Sequence, residues 1–190
     1  MRAMARGTLI LVVGPSGAGK DTLIDGARRR LAGDPRFVFA RRAITRPESA
    51  GGEDHEAATD AEFAGRKAAG LFLLDWRAHG LAYGLPASLA ADLAAGRHVV
   101  AIVSRAAVEE AARRLAPVAV VAVTAPRKAL AARLAARGRE AGADLDERLA
   151  REGAVMPAGV AVTTIVNDGT VAEGVDRFAA ALEAIAGGRK

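Results

Sequence analysis

A glycine-rich segment, Gly14-Pro15-Ser16-Gly17-Ala18-Gly19-Lys20, limits the fold of this chain more than any other feature. It directly follows an apolar run at residues 9–13 and directly precedes a helical pattern at residues 20–31. Glycine permits backbone angles that a Cβ atom disfavours, so successive N–H groups can converge on phosphate oxygens where a helix begins. The sequence therefore predicts a phosphate-binding loop in which every residue is a candidate contact and Lys20 adds positive charge. The alternative is a glycine-rich turn without a ligand.

The residue after the loop lysine decides how a metal ion could be held. In the usual pattern this residue is Ser or Thr, and its hydroxyl binds Mg²⁺. Here it is Asp21, followed by Thr22, and either side chain could bind the metal. A neighbouring strand normally adds an acid, but the apolar run at residues 98–103 has no carboxylate. We therefore hypothesise that Asp21 supplies the missing negative charge; the alternative is that it only stabilises the helix through its dipole.

Strand-like and helix-like patterns alternate along the chain. Four short runs are apolar at almost every position, as buried parallel strands are, and a fifth strand is predicted at residues 37–42. The alternation predicts an α/β fold with a mainly parallel five-stranded sheet and helices on both faces. The four runs are 9–13, 98–103, 118–123 and 162–166, and the helical patterns are 20–31, 86–95, 106–115, 126–137 and 171–185.

Two segments interrupt this alternation. Residues 43–84 are rich in glycine and charge, and a capping box from Thr59 to Glu62 predicts a short helix within them. Residues 138–146 begin with a glycine that would end the preceding helix. Insertions above the carboxyl ends of parallel strands bind substrates and form lids. We therefore predict one domain with a core at about 8–42 and 85–190, a substrate-binding insertion at 43–84 and a lid at 138–146.

Composition narrows the choice of partners. The chain has 190 residues, 51% hydrophobic and 26% charged, enough for one compact core. It has no cysteine and no apolar run near the roughly 20 residues that span a bilayer, so we expect a cytoplasmic protein without thiolate metal sites. The net charge of +5 favours an anionic partner. Because aromatic residues make up only 4%, a phosphorylated small molecule is favoured over nucleic acid or a membrane. Monomer and homodimer both stay open.

Arginines are concentrated at the start of the insertion. Arg41, Arg42 and Arg46 lie close together near a predicted strand end, and arginine binds phosphate oxygens through paired hydrogen bonds. Acids placed near an anionic substrate would have to bind hydroxyls, a metal ion or a nearby arginine. The alternative is a solvated surface cluster. The acidic stretch that follows supplies the candidates Glu53, Asp54 and His55.

The only tryptophan and the only tyrosine of the chain lie in residues 75–84. Trp76 is predicted to pack in the core, as single tryptophans usually do. His79 and Tyr83, each followed by glycine, are predicted to line a pocket. A buried structural histidine is the alternative for His79.

A second group of arginines lies at the predicted lid. Arg133 and Arg137 are four residues apart on one helix face, and Arg139 follows the helix-ending glycine. All three could turn toward a transferring phosphoryl group, which needs positive charge. The alternative is a solvated helix face.

Seven motifs in this order resemble a known enzyme family. GPSGAGKDTL, RRAITRP, GGEDHE, WRAHGLAYG, Ser104-Arg105, RLAARGRE and VNDG are similar to those of the ribose 1,5-bisphosphate phosphokinases of phosphonate catabolism. The match covers residues from about 9 to about 168. That family is itself similar to guanylate kinase, in which phosphate-binding arginines, a Tyr-Gly turn and lid arginines occupy comparable places. The resemblance implies a three-layer P-loop kinase fold.

The resemblance also implies a reaction, the ATP-dependent phosphorylation of ribose 1,5-bisphosphate to 5-phosphoribosyl 1-diphosphate with Mg²⁺. Asn167 would border the adenine of ATP. The catalytic residues would be Lys20, Arg133, Arg137 and Arg139. The acceptor-binding residues would be Arg42, Arg46, Glu53, Asp54, His55, His79, Tyr83 and Arg105.

Two other functions stay in view. Guanylate kinases recognise the base with a Glu before an aromatic residue, and here Asp75 precedes Trp76, so phosphorylation of GMP is the alternative activity. A non-catalytic guanylate-kinase-like interaction module is the third possibility. The loop lysine and the lid arginines, which such a module would have lost, argue against it.

Overall fold

The computed structural model describes residues 6–47, 53–136 and 156–188. Within these ranges strands and helices alternate along most of the chain. In chain order the elements are β1 (Leu9–Val13), α1 (Lys20–Arg30), β2 (Phe37–Phe39), β3 (Arg42–Ile44), β4 (His55–Ala57), α2 (Asp60–Ala68), β5 (Phe72–Ala78), β6 (Leu81–Pro86), α3 (Leu89–Ala94), β7 (His98–Ile102), α4 (Arg105–Arg114), β8 (Val118–Thr124), α5 (Arg127–Ala136), β9 (Ala161–Val166) and α6 (Val171–Gly187).

The main sheet has five parallel strands in the order β2-β7-β1-β8-β9. Every residue of β1, the central strand, is fully buried, because helices cover both faces. Leu9, Leu11 and Val13 pack in one core cluster with α3 and α4, and Ile10 and Val12 pack in the other with α1 and α6. The predicted three-layer α/β class is therefore confirmed.

The carboxyl ends of these parallel strands lie at one edge of the sheet. The glycine-rich loop follows β1, Ser104 and Arg105 follow β7, and Asn167 follows β9. Parallel α/β sheets bind ligands at this edge. The topology therefore brings residues that are far apart in the sequence to one side of the molecule.

A second sheet, in the order β4-β3-β6-β5, occupies the predicted insertion. β5 and β6 form an antiparallel hairpin, and β3 pairs in parallel with β4 and antiparallel with β6. The predicted short helix is present as α2. Its capping box is complete, because the Thr59 hydroxyl accepts from the Glu62 N–H and the Glu62 carboxylate accepts from the Thr59 N–H.

The single strand predicted at residues 37–42 is wrong in its extent. β2 ends at Phe39, and Arg42 belongs to β3 of the second sheet, where it pairs with His55. The chain leaves the main sheet between these two short strands. An apolar pattern cannot show which sheet a strand joins, since pairing depends on partners far away in the sequence.

The helix predicted from residue 86 also begins later than expected. Pro86 ends β6, and α3 begins at Leu89. Pro86 is the last residue of the inner strand β6, a position where a missing N–H disturbs the hydrogen-bond ladder least. In the described ranges, no helix is both long enough and apolar enough to cross a bilayer.

We expect Thr59→Ala to lower the free energy of unfolding by about 1 kcal/mol, because the Glu62 N–H at the start of α2 loses the hydroxyl that accepts its hydrogen bond. The backbone and hydroxyl hydrogen bonds from Thr59 hold the pKa of the Glu62 carboxyl below its usual value. The contribution of Glu62 to the free energy of unfolding is therefore present above its unfolded-state pKa. It is lost as the pH falls through the lower folded-state pKa of the same carboxyl. Denaturant unfolding at neutral and acid pH should show the difference from wild type shrinking in acid.

Thr170→Ala is the matched comparison, because Thr170 and Glu173 form the same capping box at the start of α6. The pKa of the Glu173 carboxyl is lowered by the equivalent hydrogen bonds from Thr170. The two variants should therefore share one pH dependence. Equal stability of Thr59→Ala and wild type at neutral pH would contradict the prediction.

Candidate functional site

The glycine-rich loop connects β1 to α1 in the predicted place. Gly14, Gly17 and Gly19 have φ angles of 148°, 85° and 91°, in the range that favours glycine. Two of them also lack space for a side chain. A Cβ on Gly14 would lie 2.0 Å from Val123 O, and one on Gly19 would lie 2.5 Å from Asn167 Nδ2. The loop therefore packs directly against the residues that end β8 and follow β9.

Lys20 is the first residue of α1, and its side chain folds back over the loop. Its Nζ donates to Gly14 O at 2.7 Å and to Pro15 O at 2.8 Å. The half-buried ammonium thus lies beside the N-terminus of α1, where the helix dipole also attracts anions. A phosphate group at this point would meet both positive contributions.

The side chains of Asn167 and Arg133 hydrogen-bond to backbone oxygens of the loop. Asn167 is buried, and its Nδ2 donates to Ala18 O at 2.8 Å. Arg133 on α5 donates from Nη2 to Asn167 O at 3.1 Å and from Nη1 to Gly17 O at 3.4 Å. Both residues were predicted to contact the nucleotide, and the structure shows them holding the loop backbone. Their contact with a bound nucleotide stays a prediction.

The other lid arginines, Arg137 and Arg139, lie outside the described residues, as does the predicted lid at 138–146. Their closing over a phosphoryl group stays a prediction. Arg133, the first of the three, contacts the loop.

Asp21 and Thr22 lie in the first turn of α1 in different surroundings. Asp21 is half-buried and lines an open cleft, whereas Thr22 is exposed. Their oxygen donors are of the kind that Mg²⁺ prefers. Across the described ranges no three His, Cys, Asp or Glu side chains are grouped so that they could hold a metal ion.

The cleft lies between α1 and the start of the insertion and is open to solvent. It places the first two turns of α1 opposite Arg42, Glu53 and Asp54, which were predicted to bind the acceptor. Sequence analysis missed two of its charged side chains, Asp25 and Arg28, although they follow Asp21 at helical spacings of four and seven residues and so share its face. The charged lining residues are Asp21, Asp25, Arg28, Arg42, Glu53 and Asp54.

Arg42 is buried just before the insertion, and its guanidinium group hydrogen-bonds to Glu53 and Ile102. Its Nε donates to Glu53 Oε2 at 2.9 Å, its Nη2 contacts both oxygens of the same carboxylate, and its Nη1 donates to Ile102 O at 3.0 Å. The guanidinium carbon lies 5.1 Å from the Tyr83 ring centre and 5.9 Å from that of Trp76. Arg42 therefore ties the second sheet to the end of β7.

Trp76 and Tyr83 form a parallel stack beneath Arg42, with ring centres 5.4 Å apart and an interplanar angle of 6°. Trp76 is buried, as predicted. Burial raises the pKa of the Tyr83 hydroxyl, and the nearby Arg42 charge opposes this only in part. The hydroxyl therefore stays protonated near neutral pH and can donate a hydrogen bond to an acceptor phosphate.

Arg46 is the insertion arginine with spare hydrogen-bonding capacity. Its Nε is buried and has no hydrogen-bond partner in the structure described here. Its Nη2 lies 4.0 Å from Glu53 Oε1 and 3.4 Å from His55 Nδ1. An anion could therefore bind this guanidinium without first breaking a strong ion pair.

Glu53, Asp54 and His55 contact arginines, which is one of the roles expected for them. Glu53 binds Arg42, and Asp54 Oδ1 accepts from Arg41 Nε at 2.9 Å. The His55 ring is buried against backbone oxygens. Contact of these three residues with a sugar hydroxyl stays a prediction.

His79 and Arg105, which were also predicted to bind the acceptor, lie in other parts of the structure. His79 is exposed at the tip of the β5–β6 hairpin, where its φ of 51° and the φ of 74° at Gly80 form a tight turn; it does not lie with Arg42 and Tyr83. Arg105 begins α4 directly after Ser104, whose buried hydroxyl has no hydrogen-bond partner in the described ranges. Arg105 is thus at the ligand-binding edge of the main sheet.

Asp75, the candidate for recognising a base, is occupied by another side chain. Lys67 on α2 contacts Asp75 Oδ2 at 2.5 Å. Sequence analysis missed this pair, because α2 and β5 meet only in the folded insertion. Recognition of a base by Asp75 would therefore compete with this ion pair.

Known structures share this architecture. Guanylate kinase from Anaplasma phagocytophilum superposes with a TM-score of 0.69 at 17% identity, over 95% of this chain and 86% of that chain. A sugar kinase from Janibacter sp. HTCC2649 superposes with a TM-score of 0.53 at 17% identity, over 93% and 95%. No family model matches the sequence. The fold and the phosphate loop together define an α/β protein of the P-loop kinase class.

Curated relatives narrow the class. The ribose 1,5-bisphosphate phosphokinase PhnN of Methylobacterium radiotolerans is 52% identical over 178 residues, which cover 94% of this chain and 98% of the relative. The bifunctional ribose 1,5-bisphosphokinase-thymidine phosphorylase of Cupriavidus pinatubonensis is 56% identical over 176 residues, 93% of this chain but 29% of the relative. The chain thus spans less than a third of the bifunctional relatives. It belongs to the ribose 1,5-bisphosphate phosphokinase family, as the motifs predicted.

Proposed function

We propose that this protein transfers the γ-phosphoryl group of ATP to ribose 1,5-bisphosphate and forms 5-phosphoribosyl 1-diphosphate. One observation supports this above all: Asp21, which directly follows the phosphate loop, lines the same cleft as Arg42 and the insertion residues Glu53 and Asp54. The loop offers a donor phosphate site, and the insertion offers cations for an acceptor that is itself phosphorylated. The names of the curated relatives favour the same substrate.

The reaction needs positioning and charge more than it needs a base. An acceptor phosphate oxygen attacks the γ-phosphorus, the bond from that phosphorus to the β–γ bridging oxygen breaks, and ADP leaves. Because the acceptor phosphate is already ionised near neutral pH, no strong base has to remove a proton. Lys20 would contact the β and γ oxygens, and Arg46 and Tyr83 would orient the acceptor phosphate.

Mg²⁺ would neutralise phosphate charge when bound. Asp21 would hold it, directly or through water, with Thr22 as the alternative ligand. Arg133 and Asn167 would keep the loop backbone in shape. We place the reaction in the cytoplasm, within one catalytic domain that acts as a monomer or a homodimer.

The test is a phosphoryl-transfer assay with ATP and Mg²⁺ in which ribose 1,5-bisphosphate and GMP are offered in parallel and products are identified by mass. We expect 5-phosphoribosyl 1-diphosphate and little GDP. GDP alone would make the protein a guanylate kinase in spite of the Lys67–Asp75 pair. ATP binding without either product would favour another acceptor or the non-catalytic module.

Asp21→Asn should change how turnover depends on the metal. The amide keeps the size of the side chain but loses its charge, so we expect the Mg²⁺ concentration for half-maximal activity to rise by about tenfold. Asp34→Asn, which lies just beyond the opposite end of α1 in an ion pair with Arg36, is the control and should leave that concentration within about twofold of wild type. An unchanged Mg²⁺ dependence in Asp21→Asn would disprove the metal role.

A further inference from the structure

Two buried side-chain polar atoms lack a hydrogen-bond partner in the described parts of the chain, Arg46 Nε and Ser104 Oγ. Both residues lie near the buried pair of Arg42 and Glu53. Arg46 Nη2 is 4.0 Å from Glu53 Oε1, and Arg42 Nη1 donates to Ile102 O, two residues before Ser104. An unpaired buried polar atom costs free energy, so each one needs an explanation, and a bound ligand is one. The proposed function uses Arg46 but leaves Ser104 without a role.

The fold itself does not use the Ser104 hydroxyl. Ser104 is the N-cap residue of α4, where a serine usually accepts a hydrogen bond from an N–H of the first helical turn, but its side chain makes no such bond. The N–H of Ala107 donates instead to the backbone oxygen of Ser104, at 3.0 Å. Because the residue as a whole is partly exposed, rotation about its Cα–Cβ bond can turn the hydroxyl toward the surface.

The register of the main sheet places Ser104 next to the phosphate loop. Val12 of β1 pairs with Ile102 of β7, and Val103 N donates to Val12 O at 3.1 Å. Two residues further along these parallel strands, Gly14 and Ser104 therefore leave the sheet as neighbours, at a strand spacing of about 4.8 Å.

Lys20 indicates which part of the donor lies there. In phosphate loops the lysine reaches the β- and γ-phosphates. Here its Nζ donates to Gly14 O and Pro15 O, at the end of the loop that neighbours Ser104. On the other side of β7, the chain leaves β2 for Arg42 and the insertion. The end of β7 thus lies between the γ end of the donor and the residues proposed to hold the acceptor.

We propose that the Ser104 hydroxyl donates a hydrogen bond to a non-bridging oxygen of the γ-phosphoryl group of ATP. A hydroxyl can donate to such an oxygen, whereas an ionised carboxylate at the same strand end could not. The bond is strengthened by the charge of the phosphoryl oxygen. Ser104 then contacts the group that is transferred, while Arg46 and Tyr83 contact the acceptor. This inference rests on the proposed function for the identity of the donor.

The first test measures whether the fold needs the hydroxyl. We expect Ser104→Ala to unfold at a denaturant concentration no lower than that of wild type, because the hydroxyl has no protein partner to lose. Ser88→Ala is the matched control, since Ser88 is the N-cap of α3, makes no side-chain capping bond and accepts at its backbone oxygen from Ala91 N–H at 3.1 Å. A clear loss of stability in Ser104→Ala alone would make the hydroxyl structural and overturn the proposal.

The second test measures nucleotide binding by calorimetry, without any acceptor. The probes are ADP and the β,γ-imido analogue of ATP, each with Mg²⁺, which differ in the γ-phosphoryl group. We expect Ser104→Ala to bind the analogue about tenfold more weakly than wild type and ADP within about twofold. Ser88 is exposed, and Ser88→Ala should match wild type for both probes. An unchanged affinity for the analogue, or equal losses for the two nucleotides, would overturn the proposal.

Ser104→Cys serves if the alanine variant does not fold. The thiol has nearly the size of the hydroxyl but is a weak hydrogen-bond donor, so the same selective loss of affinity for the analogue is expected. Affinity equal to that of wild type would contradict the contact with the γ-phosphoryl group.

Steady-state kinetics distinguishes the γ-phosphoryl group from the other partners that the hydroxyl could have. In Ser104→Ala, kcat/KM for ATP should fall about tenfold, while KM for ribose 1,5-bisphosphate and the Mg²⁺ concentration for half-maximal activity stay within about twofold of wild type. A rise in either of these two instead would place the hydroxyl on the acceptor or on metal-bound water and overturn the proposal. If ribose 1,5-bisphosphate gave no product, the proposed function would fail, and calorimetry would still decide the role of Ser104.

Discussion

We expect turnover to fall about 10³-fold when Lys20 is replaced by alanine. The half-buried Nζ lies over the phosphate loop at the N-terminus of α1, where charge would build up on the transferring group. Because this interaction strengthens in the transition state, the loss should appear mainly in kcat and less in KM. Steady-state kinetics with the preferred acceptor measures both constants.

Lys67→Ala is the matched control for this variant. Lys67 is exposed on α2, and its contact with Asp75 lies in the insertion, away from the phosphate loop. Its removal should leave turnover within about twofold of wild type. Thermal unfolding should show that Lys20→Ala stays folded. Turnover of Lys20→Ala within tenfold of wild type would show that the lysine does not contact the transferring phosphoryl group.

Arg42→Met should destabilise the protein by about 3–5 kcal/mol. The side chains of Arg42 and Glu53 are only 8% and 17% exposed, so loss of the guanidinium leaves a carboxylate without its partner in a poorly solvated place. Ile102 O would also lose its hydrogen bond from Nη1. Denaturant unfolding measures the effect, and the double variant Arg42→Met with Glu53→Leu should recover part of the lost stability.

Arg41 offers a matched control, since it is the neighbouring arginine in an exposed ion pair. Arg41 and Asp54 have side-chain exposures of 52% and 62%, and water screens such pairs. Arg41→Met should therefore cost no more than about 1 kcal/mol. Equal losses for the two arginine variants would mean that burial of the Arg42 pair does not govern its strength.

The phosphate loop and the main sheet could be predicted because their signals are local. β1 is apolar at every position, the three loop glycines lie between Gly14 and Gly19, and α1 follows at once. A wholly buried parallel strand needs no knowledge of its partner to be recognised. The same reasoning found the capping box at Thr59.

In the insertion at residues 43–84, the sequence showed which residue types were candidates for binding but not which partners they would contact. Sequence analysis expected Arg42 to bind a substrate phosphate, but its partners Glu53 and Ile102 O come from two distant parts of the chain. Alternation along a strand shows that Arg41 and Arg42 point to opposite faces, yet it does not show which face is buried. Asp75 likewise pairs with Lys67 through contacts that form only on folding.

The stack of Trp76 on Tyr83 gives the protein an optical reporter of its own. These are the only tryptophan and the only tyrosine in the chain, so all of the long-wavelength intrinsic fluorescence comes from one point in the insertion. The indole lies 5.9 Å from the Arg42 guanidinium, and its emission responds to charge and water at that distance. Binding of the proposed acceptor near Arg42 should therefore change this emission, which can be followed in real time without a label.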